Sequence, residues 1–546
     1  MKGKSTVIKK DSRLDKRNYV FLFFVLFGLI FVRYCYYGFD YFYQLDDYIQ
    51  YHNYTADGQG FFSLVKNVGL LSSRPLAGIL DFFVWSRFYG NMILAVGLIS
   101  AMYAASAVLL HKVFSKHFGT GYLFFVVFAL MPLGFEGTYW VSASSRIVVG
   151  LFFAALSFYF FDAWCEKGVK RSLVLFALFQ FLAFCLYEQL ILLSGALTLI
   201  LMLINARKSG RKRALWSFFM FINAILYLGI TKLMPTGVYG ERTALFLPWQ
   251  ENYGEQVLTP LFGQLKTAFL SGTAATWGKG LLRGFKLIIS QPNILYVLCV
   301  LALCAALYFL TKKTRRESIS FFAELFSGIF LAIVPLLLFF VLKAPWLGLR
   351  NTLCSFCGLA LIADALFDLV FGKLKFGKTA EAVIASVLAL LCCVASVSEL
   401  HDYRETTIAD TQIASAAAEA FINTSFDEDD EIWLLNVNAS YVSDGNLYYH
   451  EHDYGVTSSL WAMTGAVRAI SDRLSLPTIS PISTYAAFSV AESELTKAKA
   501  FYYEDGVFVR VTIAKASDNL WTVTDSSGRS LGTLSYVDGG LWLKMK

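Results

Sequence analysis

The sequence predicts an all-α polytopic membrane domain of about eleven transmembrane helices, followed by a small C-terminal α+β domain. Three observations predict it. The 546-residue chain is 56% hydrophobic and only 16% charged, with mean hydropathy +0.54, whereas a soluble domain is about a quarter charged. The charge is also divided. Residues 401–546 hold 10 basic and 20 acidic groups, which leaves 37 basic and 20 acidic for the first 400 residues out of totals of 47 and 40. Finally, apolar runs near span length alternate with short basic loops. The net charge of +7 therefore sits on the membrane part, where it signals topology and not nucleic-acid binding.

The elements follow in order. Residues 1–18 form a basic, cytoplasmic N-terminus ahead of FLFFVLFGLIFV. No small-residue cleavage site follows that run, so the first span is retained. A span needs about 20 apolar residues, and candidates fall near 19–37, 92–111, 120–135, 147–163, 172–187, 189–205, 214–233, 291–311, 319–342, 351–371 and 379–398. With the N-terminus inside, the cytoplasmic loops are KVFSKHFG, EKGVKR, NARKSGRKR, TKKTRRES and GKLKFGK, and each is basic, as cytoplasmic loops tend to be. The transmembrane domain then covers 19–399, with long outer loops at 38–91 and 234–290. The first of these carries an amphipathic stretch suited to the interface. The second reads as a re-entrant or interfacial element, because charges and glycines interrupt it.

Residues 400–546 fall on the outer side. TTIADTQIASAAAEAFINTSF reads as an amphipathic helix leaving the membrane, and GVTSSLWAMTGAVRAISDRL as a second helix. EIWLLNVN, GVFVRVTIA, LWTVTDSSGRSLGTLSYV and GLWLKMK read as strands, with DSSGRS as a hairpin turn. All nine cysteines lie in or beside apolar segments and none in this domain. Cys354 and Cys357 have CxxC spacing without further ligands nearby, so they read as packing residues.

Chemistry is concentrated in the outer loops. YFYQLDDYIQYH places Asp46 and Asp47 just past the first span, and SSRPL places Arg74 in the same loop. Glu136, Arg146, Glu188 and Arg350 stand at the outer tips of later spans. Ionisable groups converging at membrane level are functional candidates. Glu136 and Arg146 also read as a pair across a short turn, and Glu188 and Arg350 as interfacial anchors. Trp140, Trp249 and Trp346 lie in outer loops, where anchoring is the common role and sugar stacking the alternative.

LDDY at 45–48, SSRPLAGIL at 72–80, GTYWVSASSR at 137–146, LYEQLILL at 186–193 and WLGLRN at 346–351 together resemble the GT-C fold of polytopic glycosyltransferases. That group includes protein O-mannosyltransferases and bacterial Gtr-type enzymes. The resemblance covers residues 15–400 and does not extend to the C-terminal domain. It implies a bacterial plasma-membrane enzyme that moves one sugar from a polyprenyl-phosphate-linked donor to an extracytoplasmic acceptor glycan such as a wall polymer or O-antigen. It implies Asp47, with Asp46 as second choice, as the base for the acceptor hydroxyl. Burial and the neighbouring carboxylate would raise that group's pKa. Arg350, Arg74 and Arg146 would hold the donor phosphate, and Glu188 would position a sugar. No cofactor is implied. A divalent metal on Asp46 and Asp47 stays open, because the oligosaccharyltransferase branch binds one there. His450 and His452 of HEHD share a strand face but lack a third ligand.

Two other classes compete. A lipid-linked glycan transporter or flippase would carry charge or broken helices at mid-span, and here the span interiors are nearly free of charge apart from Asp364 and Asp368 near the inner half of the tenth. A polysaccharide polymerase or ligase would share the lipid-linked donor but rely on outer-loop arginines.

Overall fold

The computed structural model describes residues 16–545 apart from 57–59, 207–210, 237–243, 314–319, 428, 439–450, 485–487, 489–494, 496–497 and 538–539. The basic N-terminus before residue 16, parts of the NARKSGRKR and TKKTRRES loops, and the side chains of HEHD lie outside the described residues.

Helices occupy each of the eleven predicted segments. Seven are long and apolar enough to cross a membrane: Trp85–His117, Val141–Lys167, Lys212–Leu233, Ile294–Lys312, Phe321–Val341, Leu349–Phe371 and Gly377–Ala420. Arg17–Val32, Leu123–Tyr139 and Gln189–Asn205 are apolar but shorter. Close approach sets much of the packing. A Cβ on Gly284 would lie 2.1 Å from Val394 O, and one on Gly358 would lie 2.2 Å from Ala332 N. Small residues let helix backbones meet at such distances. Both cysteines of the CxxC pair are buried and no described cysteine is in a disulfide.

The described parts of the long loops are largely helical. Loop 38–91 contains a π-helical turn, Tyr48–Asn53, and short helices Phe61–Asn67 and Pro75–Phe83. The second loop is helical, with π-type turns, from 254 to 290. Its last part, Gly280–Ser290, packs on Gly377–Ala420 through Gly284 and the ion pair of Arg283 with Asp402.

The eleventh predicted span and the amphipathic helix after it are one element. Gly377–Ala420 runs unbroken for 44 residues, about 66 Å at 1.5 Å per residue, or twice a bilayer's ~30 Å hydrocarbon core. This stem carries the C-terminal domain, a seven-stranded sheet of order β2-β1-β3-β4-β5-β6-β7. The strands are β1 Ile432–Leu435, β2 Ile479–Ile482, β3 Lys499–Glu504, β4 Val507–Ser517, β5 Leu520–Asp525, β6 Ser530–Val537 and β7 Gly540–Met545. β1 pairs in parallel with β2 and β3, and the rest is an antiparallel meander. Parallel neighbours need a crossover, and the helix Leu460–Ser471 supplies one between β1 and β2. β1 is buried on both faces. Ile432 and Leu434 join the core shared with the bundle, while Trp433 and Leu435 join a second core under the meander. The domain is therefore built onto the bundle through one side of its sheet.

Candidate functional site

The stretch 140–146, WVSASSR, organises the site. It begins the helix Val141–Lys167, so Ser142, Ser145 and Arg146 fall at i, i+3 and i+4 on one face. Loop 38–91 lies across that face.

Asp47 is fully buried. Its Oδ1 accepts from the Ser142 hydroxyl at 2.7 Å. Its Oδ2 accepts from the Tyr41 hydroxyl at 2.7 Å and from the Gln44 N–H at 3.0 Å. The Tyr41 oxygen accepts in turn from the Val141 N–H at 3.0 Å. Burial pushes the Asp47 carboxyl up to about 7; the three hydrogen bonds oppose the shift and the Asp46 charge adds to it. The chain reaches this position through Leu45, whose φ is +35. A leucine in the left-handed region is strained by about 1–3 kcal/mol. Its surroundings hold it there. Leu45 is buried, and the Gln44 side chain donates to Tyr403 O at 3.1 Å and Thr407 Oγ1 at 2.8 Å on the stem. Strain and a π-helical turn both concentrate at functional sites.

One turn along the same face, Arg146 Nη2 donates to Asp81 Oδ2 at 2.8 Å and to Gln50 Oε1 at 3.1 Å. Asp81 is buried, which pushes its carboxyl up against the pull of Arg146. The Tyr51 hydroxyl stands 3.5 Å from Asp81 Oδ1 and 3.4 Å from Ser145 Oγ.

Arg74 starts the helix that carries Asp81. Its Nε donates to both Glu188 oxygens, at 2.9 and 3.0 Å, and its guanidinium lies 4.6 Å from the Tyr187 ring centroid. Backbone contacts on either side hold it in place: Leu76 N–H donates to Cys185 O, and the Tyr227 hydroxyl to Ser73 O. The Arg74 Nη groups donate no hydrogen bond among the described residues. Arg350 Nη1 is 3.8 Å from Glu136 Oε1, and its guanidinium sits over Trp140 at 5.1 Å. Tyr187 joins the two arginines, since its hydroxyl accepts from the Asn351 amide.

The predicted residues thus meet at one end of the bundle, with two changes of role. Asp46 and Asp47 diverge. Asp47 turns into the bundle, whereas Asp46 Oδ1 accepts from Trp461 Nε1 of the C-terminal domain at 2.7 Å. Glu136 and Arg146, read above as partners across a turn, take Arg350 and Asp81 as partners. Trp140 is buried beneath Arg350, while Trp249 and Trp346 are exposed. Asp81, Ser142 and Trp461 escaped the sequence reading. Asp81 had a signal, as the lone acid in the apolar helix PLAGILDFF. Ser142 lies inside GTYWVSASSR, and Trp461 had no local signal.

A second acidic set lies at the far end of Trp85–His117. Thr120 Oγ1, Gly121 N–H and Tyr122 N–H donate to Glu324, Asp364 and Glu381 respectively. Of these three acids, only Asp364 stands out in the sequence as a charge within a span. These acids grip the turn that opens Leu123–Leu130. Among the described residues no group of three or more His, Cys, Asp or Glu is placed to hold a metal ion.

No protein-family model matches the chain, and no curated protein matches it.

Proposed function

We propose that the chain is a bacterial plasma-membrane glycosyltransferase of about eleven spans, with the C-terminal domain outside the cytoplasm. In this reading it moves one sugar from a polyprenyl-phosphate donor to an extracytoplasmic acceptor glycan. The observation that carries the reading is the convergence of one buried acid, Asp47, with Arg74, Arg146 and Arg350 from three distant segments.

The acceptor oxygen attacks the anomeric carbon as the bond from that carbon to the phosphate oxygen breaks. The hydroxyl proton passes to Asp47, where the rotatable Ser142 hydroxyl gives way at Oδ1. The polyprenyl phosphate leaves with the electron pair of the broken bond. A carboxyl held at about 7 is suited to base catalysis near neutral pH. Each arginine already faces an acid, so the phosphate must find an open edge. Arg74 offers one, because Glu188 occupies Nε and the Nη pair remains for bidentate contact. Arg350 is the second cation, and the Trp140 ring beneath it, 5.1 Å from its guanidinium, fixes its place at the same end of the bundle. Arg146 acts by holding Asp81 and Gln50, which sets the loop.

The test is Asp47→Asn. In membranes supplied with a polyprenyl-phosphate sugar, transfer falls by about 10²–10⁴-fold at unchanged protein level. Glycan from the variant strain keeps its backbone polymer and loses a side-branch sugar. A full sugar complement in that strain overturns the proposal.

A further inference from the structure

Trp461 opens the helix Leu460–Ser471, whose next six residues, 462–467, are buried. The tryptophan itself is 44% exposed and the adjoining Leu460 45%. A large exposed indole is ordinarily mobile, but here its Nε1–H is donated to Asp46 Oδ1 at 2.7 Å. The ring is therefore oriented before any ligand arrives. Asp46 Oδ2 accepts no hydrogen bond among the described residues.

The helix is seated firmly on the loop. A Cβ on Gly465 would stand 3.2 Å from both Ile49 N and Tyr48 Cβ. The segment before it is tied to the stem, where Val456 N–H donates to Asp410 Oδ1 at 2.9 Å. Asp46 and Asp47 are chain neighbours, about 3.8 Å apart at Cα. A group resting on Trp461 and Asp46 thus sits on the turn that carries Asp47.

We infer that Trp461 and Asp46 form an acceptor subsite for one sugar unit of a neutral glycan, built from both domains; this rests on the transferase reading above. The apolar face of the pyranose stacks on the indole, which supplies contact area at little cost in conformational entropy. Its hydroxyls donate to the open Asp46 oxygen in a charge-assisted hydrogen bond. Asp46 serves acceptor recognition while Asp47 serves the proton, so the doublet divides its labour between two faces of one turn.

The test is a binding titration that needs no transfer. The purified full chain carrying Asp47→Asn is titrated with the surface polysaccharide of a strain lacking the gene. Adding Trp461→Ala weakens binding about ten-fold or more, and Trp461→Phe, which keeps a ring, by about three-fold. Trp542→Ala is the control, since Trp542 is another exposed indole of the same domain, on β7, and it leaves binding as it was. Thermal unfolding reports whether each variant is folded. Absence of binding by the Asp47→Asn chain, or equal binding by the Trp461→Ala variant, overturns the inference. Failure of the transferase reading shows separately, as sugar transfer that survives Asp47→Asn.

Discussion

At the scale of the residue, Asp47 sets the pH behaviour. Its carboxyl moves from 3.8 in an unfolded chain to about 7 when buried. Between those values the folded form keeps a proton that the unfolded form has lost. The stability contributed by this group is therefore fully present below about pH 4 and lost as pH rises through about 7. Catalysis runs the other way, because only the ionised carboxylate accepts a proton. The transfer rate should rise through an apparent pKa near 7, and Asp47→Asn should remove that limb. In thermal melts the variant should gain on the parent chain at pH 8 relative to pH 5. A rate profile flat across pH 6–8 would count against Asp47 as base. The acid was legible in LDDY because it shares the outer face with Arg74 and the charged tips of later spans, and ionisable groups converging at membrane level are functional candidates. Asp81 was marked only as the lone acid of an apolar stretch, and such an acid looks the same whether it meets an arginine or a water.

At the scale of the element, helices were legible and their limits were not. The stem was read as a span followed by a separate amphipathic helix because hydropathy falls near residue 400. Neither Gly nor Pro interrupts 378–420, and alanines are frequent there, so helix propensity continues where hydropathy does not. β2 escaped notice because ISPI contains Pro481. A proline is tolerated on an edge strand, and β2 is an edge of the sheet. Helix contacts are set by glycines whose role no local pattern reveals. Gly358 meets Ala332 N and Gly328 O, whereas Gly229 has no heavy atom within 4 Å of an added Cβ. Gly358→Val should destabilise the folded chain in detergent by about 1–3 kcal/mol or more. Gly229→Ala should be neutral or stabilise by about 0.5–1 kcal/mol. Equal unfolding midpoints for the two would show that these helices do not pack through Gly358.

At the scale of the whole molecule, the bond between Asp46 and Trp461 constrains topology. Two residues in contact lie on one side of the membrane, so the chain between them crosses an even number of times. All seven long apolar helices lie between residues 46 and 461. If each crosses, the shorter helices must add an odd number of crossings. Eleven spans satisfy this, with ten after the first loop. Reporter fusions at residue 47 and at the C-terminus should therefore report the same compartment, and opposite compartments would break the arrangement. The sequence by itself determined the helical bundle, the segregation of basic loops, the separate C-terminal domain and the candidacy of Asp47. Those are sums over neighbouring residues, and solvent preference is written locally. Only the tertiary structure decided the partners: Ser142 for Asp47 at 95 residues' separation, Asp81 for Arg146 at 65, Glu188 for Arg74 at 114 and Trp461 for Asp46 at 415. Which charge meets which depends on how helices pack and turn, and a one-dimensional pattern of polarity does not encode that geometry.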